Sequence, residues 1–349
     1  MPRVLREYRL LAILVGGSAV VALSAIPAGE APRGVTLIGV LIGFIYYFIA
    51  SRRERQRERL SAVPFPDPWR EVLQRRVPLY ALLSKSEQER FESEIQVFLG
   101  EQRIYPLQAD GEQSDAPLSD ESRLLIAASA ATLLLGRPEW RLPTVRDIVV
   151  YPRAFTEETY QLSSAADPHA HPQAIGMVHA QGPILLSLEA LEHSFPRHLS
   201  PSAGTSTQIG LSEPVLPHVG LHEFAHVLDF LGSPTNSGAE RITATGVPGM
   251  LSSETAQSWH RQLAVERQRL LAGQSVLNPY GLKSEAELFA VSVESFFQDA
   301  LRMRVYHPDL YALLSEFFNQ DPAARLVAHH AAFVFRPWFA LGPTTRYTA

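Results

Sequence analysis

The chain has 349 residues, enough for one large or two smaller domains with a sizeable buried core, and a mild net charge of −5. No basic excess points to nucleic acid, and no acidic run suggests a solvating tail. Cysteine is absent, which excludes disulfides and thiolate ligands, fits a reducing compartment, and leaves any metal to His, Asp or Glu.

Residues 1–60 differ from the rest. Two apolar runs, Leu10–Ile26 and Val35–Ala50, contain no charged residue and fall slightly short of the ~20 residues of a spanning helix. Pro27 to Gly34 forms a turn-like link between them. The pattern predicts a transmembrane helical hairpin. Arg3, Arg6 and Arg9 flank it on one side and Arg52, Arg53, Arg55, Arg57 and Arg59 on the other, whereas the short loop has only Arg33. By the positive-inside rule both ends, and the C-terminal domain with them, face the cytoplasm, as in a multi-pass protein of the inner membrane. The competing readings are a cleaved signal peptide followed by a single anchor, and burial of both runs in a soluble core.

Pro64, Pro66 and Pro68 suggest a linker over 61–68, followed by the main domain over 69–330 and a tail over 331–349. Residues 69–99 carry apolar positions near a helical period, and Ser122–Leu135 reads as a buried helix. Leu107–Ala116 and Glu158–Pro172 are loop-like, as is the Pro-, Ser- and Gly-rich stretch Phe195–Ser212. Asp147–Tyr151 and Ile184–Leu188 are the strand expectations; the latter, within GPILLSL, is either a core strand or an edge that a peptide substrate could extend. Helices are expected over Val219–Phe230, 255–272, 284–299 and 308–319. Helices dominate around a small sheet, so the class is α+β.

Chemistry concentrates in Leu221-His222-Glu223-Phe224-Ala225-His226. On a helix, residues four apart project within about 40° of each other, so both imidazoles reach one ion. Glu223 is turned aside, where it serves as general base toward water rather than as a ligand. A third ligand must follow. A metzincin would need Gly at 229 and His at 232; Asp229 and Gly232 exclude that class. The later helix SEAELFAVSVESFF offers Glu287 and Glu294, seven apart on one face, while Glu285 points away. His218 precedes the helix proper. His169 and His171 resemble a metal tract but are accounted for by a flexible polar loop, and His329 and His330 have no partner in the pattern.

HEFAHVLD, NPYGLKSEAELFAVSVESFF and HPDLYALLSEFFNQDP, with SRLLIAASAATLLL and DIVVYPRAF upstream, resemble the Mlc titration factor A family of zincin-like metallopeptidases over roughly 69–325. The resemblance implies a gluzincin-like fold, Zn2+ as cofactor, Glu287 as third ligand, Tyr280 as stabiliser of the oxyanion, and Asp229 and Glu294 as orienting groups behind the ligands. It implies hydrolysis of a peptide or protein substrate or, alternatively, a non-catalytic zinc module that binds a regulatory protein partner. The N-terminal hairpin lies outside the family pattern.

Overall fold

The computed structural model describes residues 41–48, 51–108, 111–140, 142, 147–155, 174–178, 182–195, 217–230, 251 and 253–334. The chain divides into two units between Pro64 and Phe65. In the first, residues 41–48 are helical and are followed by α1 (Arg52–Ser61). Leu41, Phe44, Ile45 and Phe48 are exposed there. The expected first span, Leu10–Ile26, lies outside the described residues. Among the described residues no helix is long and apolar enough to cross a membrane.

The second unit opens with α2 (Asp67–Arg76), α3 (Pro78–Leu82) and α4 (Lys85–Glu101), where the apolar period alone suggests one continuous helix. The breaks have local causes. Pro78 has no N–H to continue α2, and Ser84 begins α4 through a capping box with Glu87. Pro66 and Pro68 are less a linker than the start of α2, at its N-cap and in its first turn, and Phe65 is already buried in the core.

Strand β1 (Ile104–Pro106) precedes α5 (Asp120–Leu134), whose N-cap Ser119 accepts from the Ser122 N–H. Helix α5 is buried along almost its whole length, which its run of Ala and Leu permits because no face must remain polar. Then follow β2 (Ile148–Tyr151), β3 (Gly176–Val178), β4 (Ile184–Ser187) and α6 (Leu188–Ser194). Ser187 ends β4 and caps α6 by accepting the Ala190 N–H.

The sheet order is β1-β2-β4-β3, parallel except for β3, which runs antiparallel to β4. Alternation along the strands sends Ile148, Val150, Ile184 and Leu186 into the main helical core, while Tyr151 and Leu185 join Phe155 in a smaller cluster on the other face. The remaining helices are α7 (Val219–Phe230), α8 (Ser253–Leu271), α9 (Glu285–Gln298), α10 (Ala300–Tyr306), α11 (Pro308–Phe318) and α12 (Pro322–Val334), with a 3-10 turn at Pro279–Leu282 before α9. Helix α7 packs against α5, α9 and the sheet end at β3 and β4. The mainly helical α+β class with a small mixed sheet is therefore observed.

Candidate metal centre

Helix α7 starts at Val219, two residues after Pro217. The His218 N–H donates to Glu294 Oε2 of α9 at 2.6 Å, and the Leu221 N–H donates to His218 Nδ1 at 3.2 Å. Two amides of the first turn are thus satisfied by side chains, as a buried helix end requires. His218 stacks edge-on against Phe195, and burial pulls its pKa down to about 3, so it stays the neutral acceptor that this bond needs. With Nδ1 so used, it caps the helix.

One turn on, His222 Nε2 and His226 Nε2 lie 3.2 Å apart. Glu287 Oε2 from α9 sits 2.9 Å from the first and 3.3 Å from the second. Glu294 reaches the far side of His222, with Oε1 2.7 Å from Nδ1. A tetrahedral ion with bonds of ~2.1 Å would hold its ligand atoms ~3.4 Å apart, close to this spacing.

A carboxylate only accepts, so Glu294 keeps the proton of neutral His222 on Nδ1. The Nε2 lone pair then faces the Glu287 carboxylate. Only a cation between them relieves this, either a second proton on the ring or a metal ion. Accordingly, although burial acts against the charged ring, hydrogen bonds to Glu287 and Glu294 raise the His222 pKa well above its ordinary value. Burial likewise opposes ionisation of Glu287, but bonds from His222 and His226 hold its carboxyl well below the ordinary range. Two imidazole nitrogens and one carboxylate oxygen are a donor set suited to a first-row divalent ion.

Glu223 is buried on α7 beside these groups. Among the described residues its Oε2 is buried without a hydrogen-bond partner. Burial raises its pKa to about 7, against the opposing pull of His222 and His226. In the metal-free site the carboxyl is therefore held protonated to a higher pH than an exposed one.

The other anticipated residues are distributed around this core. Tyr280, in the 3-10 turn, is partly exposed, with its ring 5.9 Å from that of His222. Asp229 is wholly buried in the last turn of α7. Glu285 is exposed and pairs with His260 at 3.5 Å, away from the ion site. The GPILLSL strand is β4, which lies inside the sheet; among the described residues the edge beside α7 is β3. His169 and His171 lie outside the described residues, and His329 is exposed.

Two neighbours of the site were not anticipated. Lys283 Nζ lies 3.3 Å from the Tyr280 hydroxyl and 4.0 Å from Glu287 Oε1; its place four residues before Glu287 was the available signal. Gly176 of β3 abuts the Glu223 carboxylate, and a glycine within the apolar stretch Ile175 to Val178 was its only trace in the sequence.

A helix-borne pair of imidazoles with an adjacent buried glutamate, completed by an acidic residue from a second helix, places the protein in the metallopeptidase class. Residues 50–319 match the family described as glucose-regulated metallo-peptidase M90, and the chain belongs to that family. It is 27% identical over 312 residues to an uncharacterized protein of Synechocystis, covering 83% of this chain and 98% of that one. It is 29% identical to Mlc titration factor A of Pectobacterium atrosepticum, covering 72% of this chain and 85% of the relative. Against the protein of the same name from Escherichia coli the identity is again 29%, over 76% and 89%.

Proposed function

We propose that this protein is a zinc-dependent peptidase of the gluzincin type, with His222, His226 and Glu287 as metal ligands and Glu223 as general base. The observation that carries the reading is the buried Oε2 of Glu223, without a partner among the described residues, beside three convergent ligand atoms. Bound there, zinc would supply Lewis acidity toward a substrate carbonyl and make water a stronger acid. Glu223 takes one proton from the attacking water as the carbon–oxygen bond forms. It returns that proton to the amine nitrogen as the carbon–nitrogen bond breaks. Tyr280, at the rim, donates its hydroxyl to the developing oxyanion. Glu294 holds His222 in the tautomer that presents Nε2 to the metal, and Asp229 supports His226 from the end of α7. The edge of β3 offers main-chain groups to an extended peptide.

The decisive experiment combines metal content with peptide hydrolysis for the wild type and Glu223→Gln. One zinc per chain, with hydrolysis lost in the variant, supports the peptidase. One zinc with no hydrolysis of broad peptide libraries favours a second reading, a zinc-containing module that binds and regulates a protein partner. That reading is suggested by relatives named as titration factors of Mlc. Chains that bind no metal would sink both.

The same proposal places the N-terminal runs in the inner membrane as a hairpin with the catalytic domain in the cytoplasm. The exposed apolar residues Leu41, Phe44, Ile45 and Phe48, followed by the arginines of α1, support it. A reporter fused at the C-terminus that is active only outside the cytoplasm tests it; signal from that reporter would reject this topology.

A further inference from the structure

We propose that Gly176 is a positioning residue for the base: the absence of a side chain there lets the Glu223 carboxylate lie against β3 with its second oxygen left for the reacting water. The inference rests on the reading of Glu223 as general base. A Cβ placed on Gly176 would sit 2.1 Å from Glu223 Oε1, 2.7 Å from its Cδ and 2.7 Å from Val219 Cγ2. All three distances are far inside van der Waals contact, so something must move.

Most of the surroundings cannot. Strand β3 is held on β4, with Gly176 opposite Leu186, and the Ser187 N–H donates to the Ile175 carbonyl at 2.8 Å. Helix α7 is equally confined, because a Cβ on Gly220 would come 2.2 Å from Ser129 Oγ of α5, showing that the two helices are already in close approach. Val219 is buried and β-branched, with few rotamers to choose from. The freest atoms are those at the end of the Glu223 side chain. A methyl group on Gly176 therefore displaces the base first, and its remaining contact with Val219 lowers stability by a smaller amount.

Displacing a reacting group by ~1 Å costs on the order of 100-fold in rate. Gly176→Ala is expected to lower kcat by about that factor, with KM and zinc content changed by less than about twofold, the pattern of a lost transition-state contribution. Glu223→Asp, one methylene shorter, withdraws the carboxylate from the clash, so adding Gly176→Ala to it should cost little further kcat. A purely structural glycine would instead lower stability with zinc content and kcat falling together, and equally in both backgrounds.

A readout independent of activity is thermal denaturation of the metal-free full-length protein. Gly176→Ala should lower the midpoint, and the drop should be smaller in the Glu223→Ala background, where only the 2.7 Å contact with Val219 Cγ2 remains; if Gly176→Ala fails to fold, the double variant should be the more stable of the two. Additive midpoints, or unaltered kcat in Gly176→Ala, overturn the inference. Should the wild type hydrolyse no peptide, the peptidase reading fails, while the melting cycle still decides whether Gly176 positions Glu223.

Discussion

Replacing Glu294 by Gln exchanges one carboxylate oxygen for an amide nitrogen at a place where both oxygens are engaged, one by the His218 N–H and the other by His222 Nδ1. The amide can keep an acceptor toward only one of them. Leaving the buried backbone N–H of His218 unsatisfied would cost ~1–3 kcal/mol. Turning the NH2 group toward His222 only moves the ring proton from Nδ1 to Nε2, where Glu287 Oε2 waits at 2.9 Å to accept it. The second arrangement is the cheaper one. In it a proton stands where the metal needs a lone pair, so affinity should fall by the ~10–100-fold characteristic of groups that orient ligands, equivalent to ~1.4–2.8 kcal/mol. The metal-free protein should meanwhile lose less than about 1 kcal/mol, because every buried donor still has an acceptor. Glu294→Ala lacks this escape and should lose both metal affinity and stability. The assay is competition for zinc against a chromophoric chelator, paired with denaturant unfolding of the metal-free forms. Wild-type affinity in Glu294→Gln, or an affinity loss matched by an equal stability loss, would refute the tautomer argument.

Three further outcomes follow from the packing and charges. Chelation of the metal should lower the melting midpoint without unfolding the domain, since α7 is held by buried Leu221, Phe224 and Leu228 rather than by its ligands alone; free metal at 1,000 times Kd adds ~4 kcal/mol. Circular dichroism before and after chelation checks this, and loss of helical signal at room temperature would contradict it. Phe289→Ala removes a fully buried ring that meets Trp259 and Phe317 edge-on, and should cost ~3–5 kcal/mol in unfolding experiments. Glu92 is buried, which raises its pKa, but hydrogen bonds from Arg70 and Tyr80 win and lower it below the ordinary 4.5. A depressed folded-state pKa gives stability that is fully present above about 4.5 and is lost as pH falls through the folded value, so Glu92→Gln should flatten the acid limb of stability against pH. An unchanged acid limb would show that the Arg70–Glu92–Tyr80 contact is not maintained in solution.

The imidazole pair and its glutamate were legible in the sequence because a helical repeat translates spacing directly into direction. The third carboxylate was legible only through the family resemblance, which implies Glu287, and the structure shows why the spacing left it open. Glu287 and Glu294 share one face of α9 and both contact His222, one at each ring nitrogen, so spacing alone could not rank them. Strands β1 and β3 were missed because three residues cannot display a period of two, and Ile104-Tyr105-Pro106 ends on a proline. The breaks at Pro78 and Ser84 were written in local signals but overridden by an apolar period that runs through them. Sheet order was beyond reach. Whether β4 or β3 forms the edge beside α7 depends on long-range pairing, and so did the contact between Gly176 and Glu223.

Helix α9 contributes both the carboxylate that faces the ion site and the one that caps α7 at His218, two turns apart on one rigid element. The distance from Glu287 to the imidazoles and the distance from Glu294 to the His218 N–H at the start of α7 are therefore set by a single helix–helix docking. A tetrahedral ion would hold Glu287 Oε2 ~3.4 Å from each imidazole nitrogen, slightly farther than the 2.9 and 3.3 Å here, so binding an ion would shift α9 against α7 and with it the Glu294 contact. Metal affinity and α7–α9 packing are by this linkage one equilibrium. Buried Leu288 and Phe289 of α9 belong to that equilibrium as much as the ligands do. The centre is built on two packed helices rather than on loops, which is the arrangement that keeps three donor atoms in place before any ion arrives.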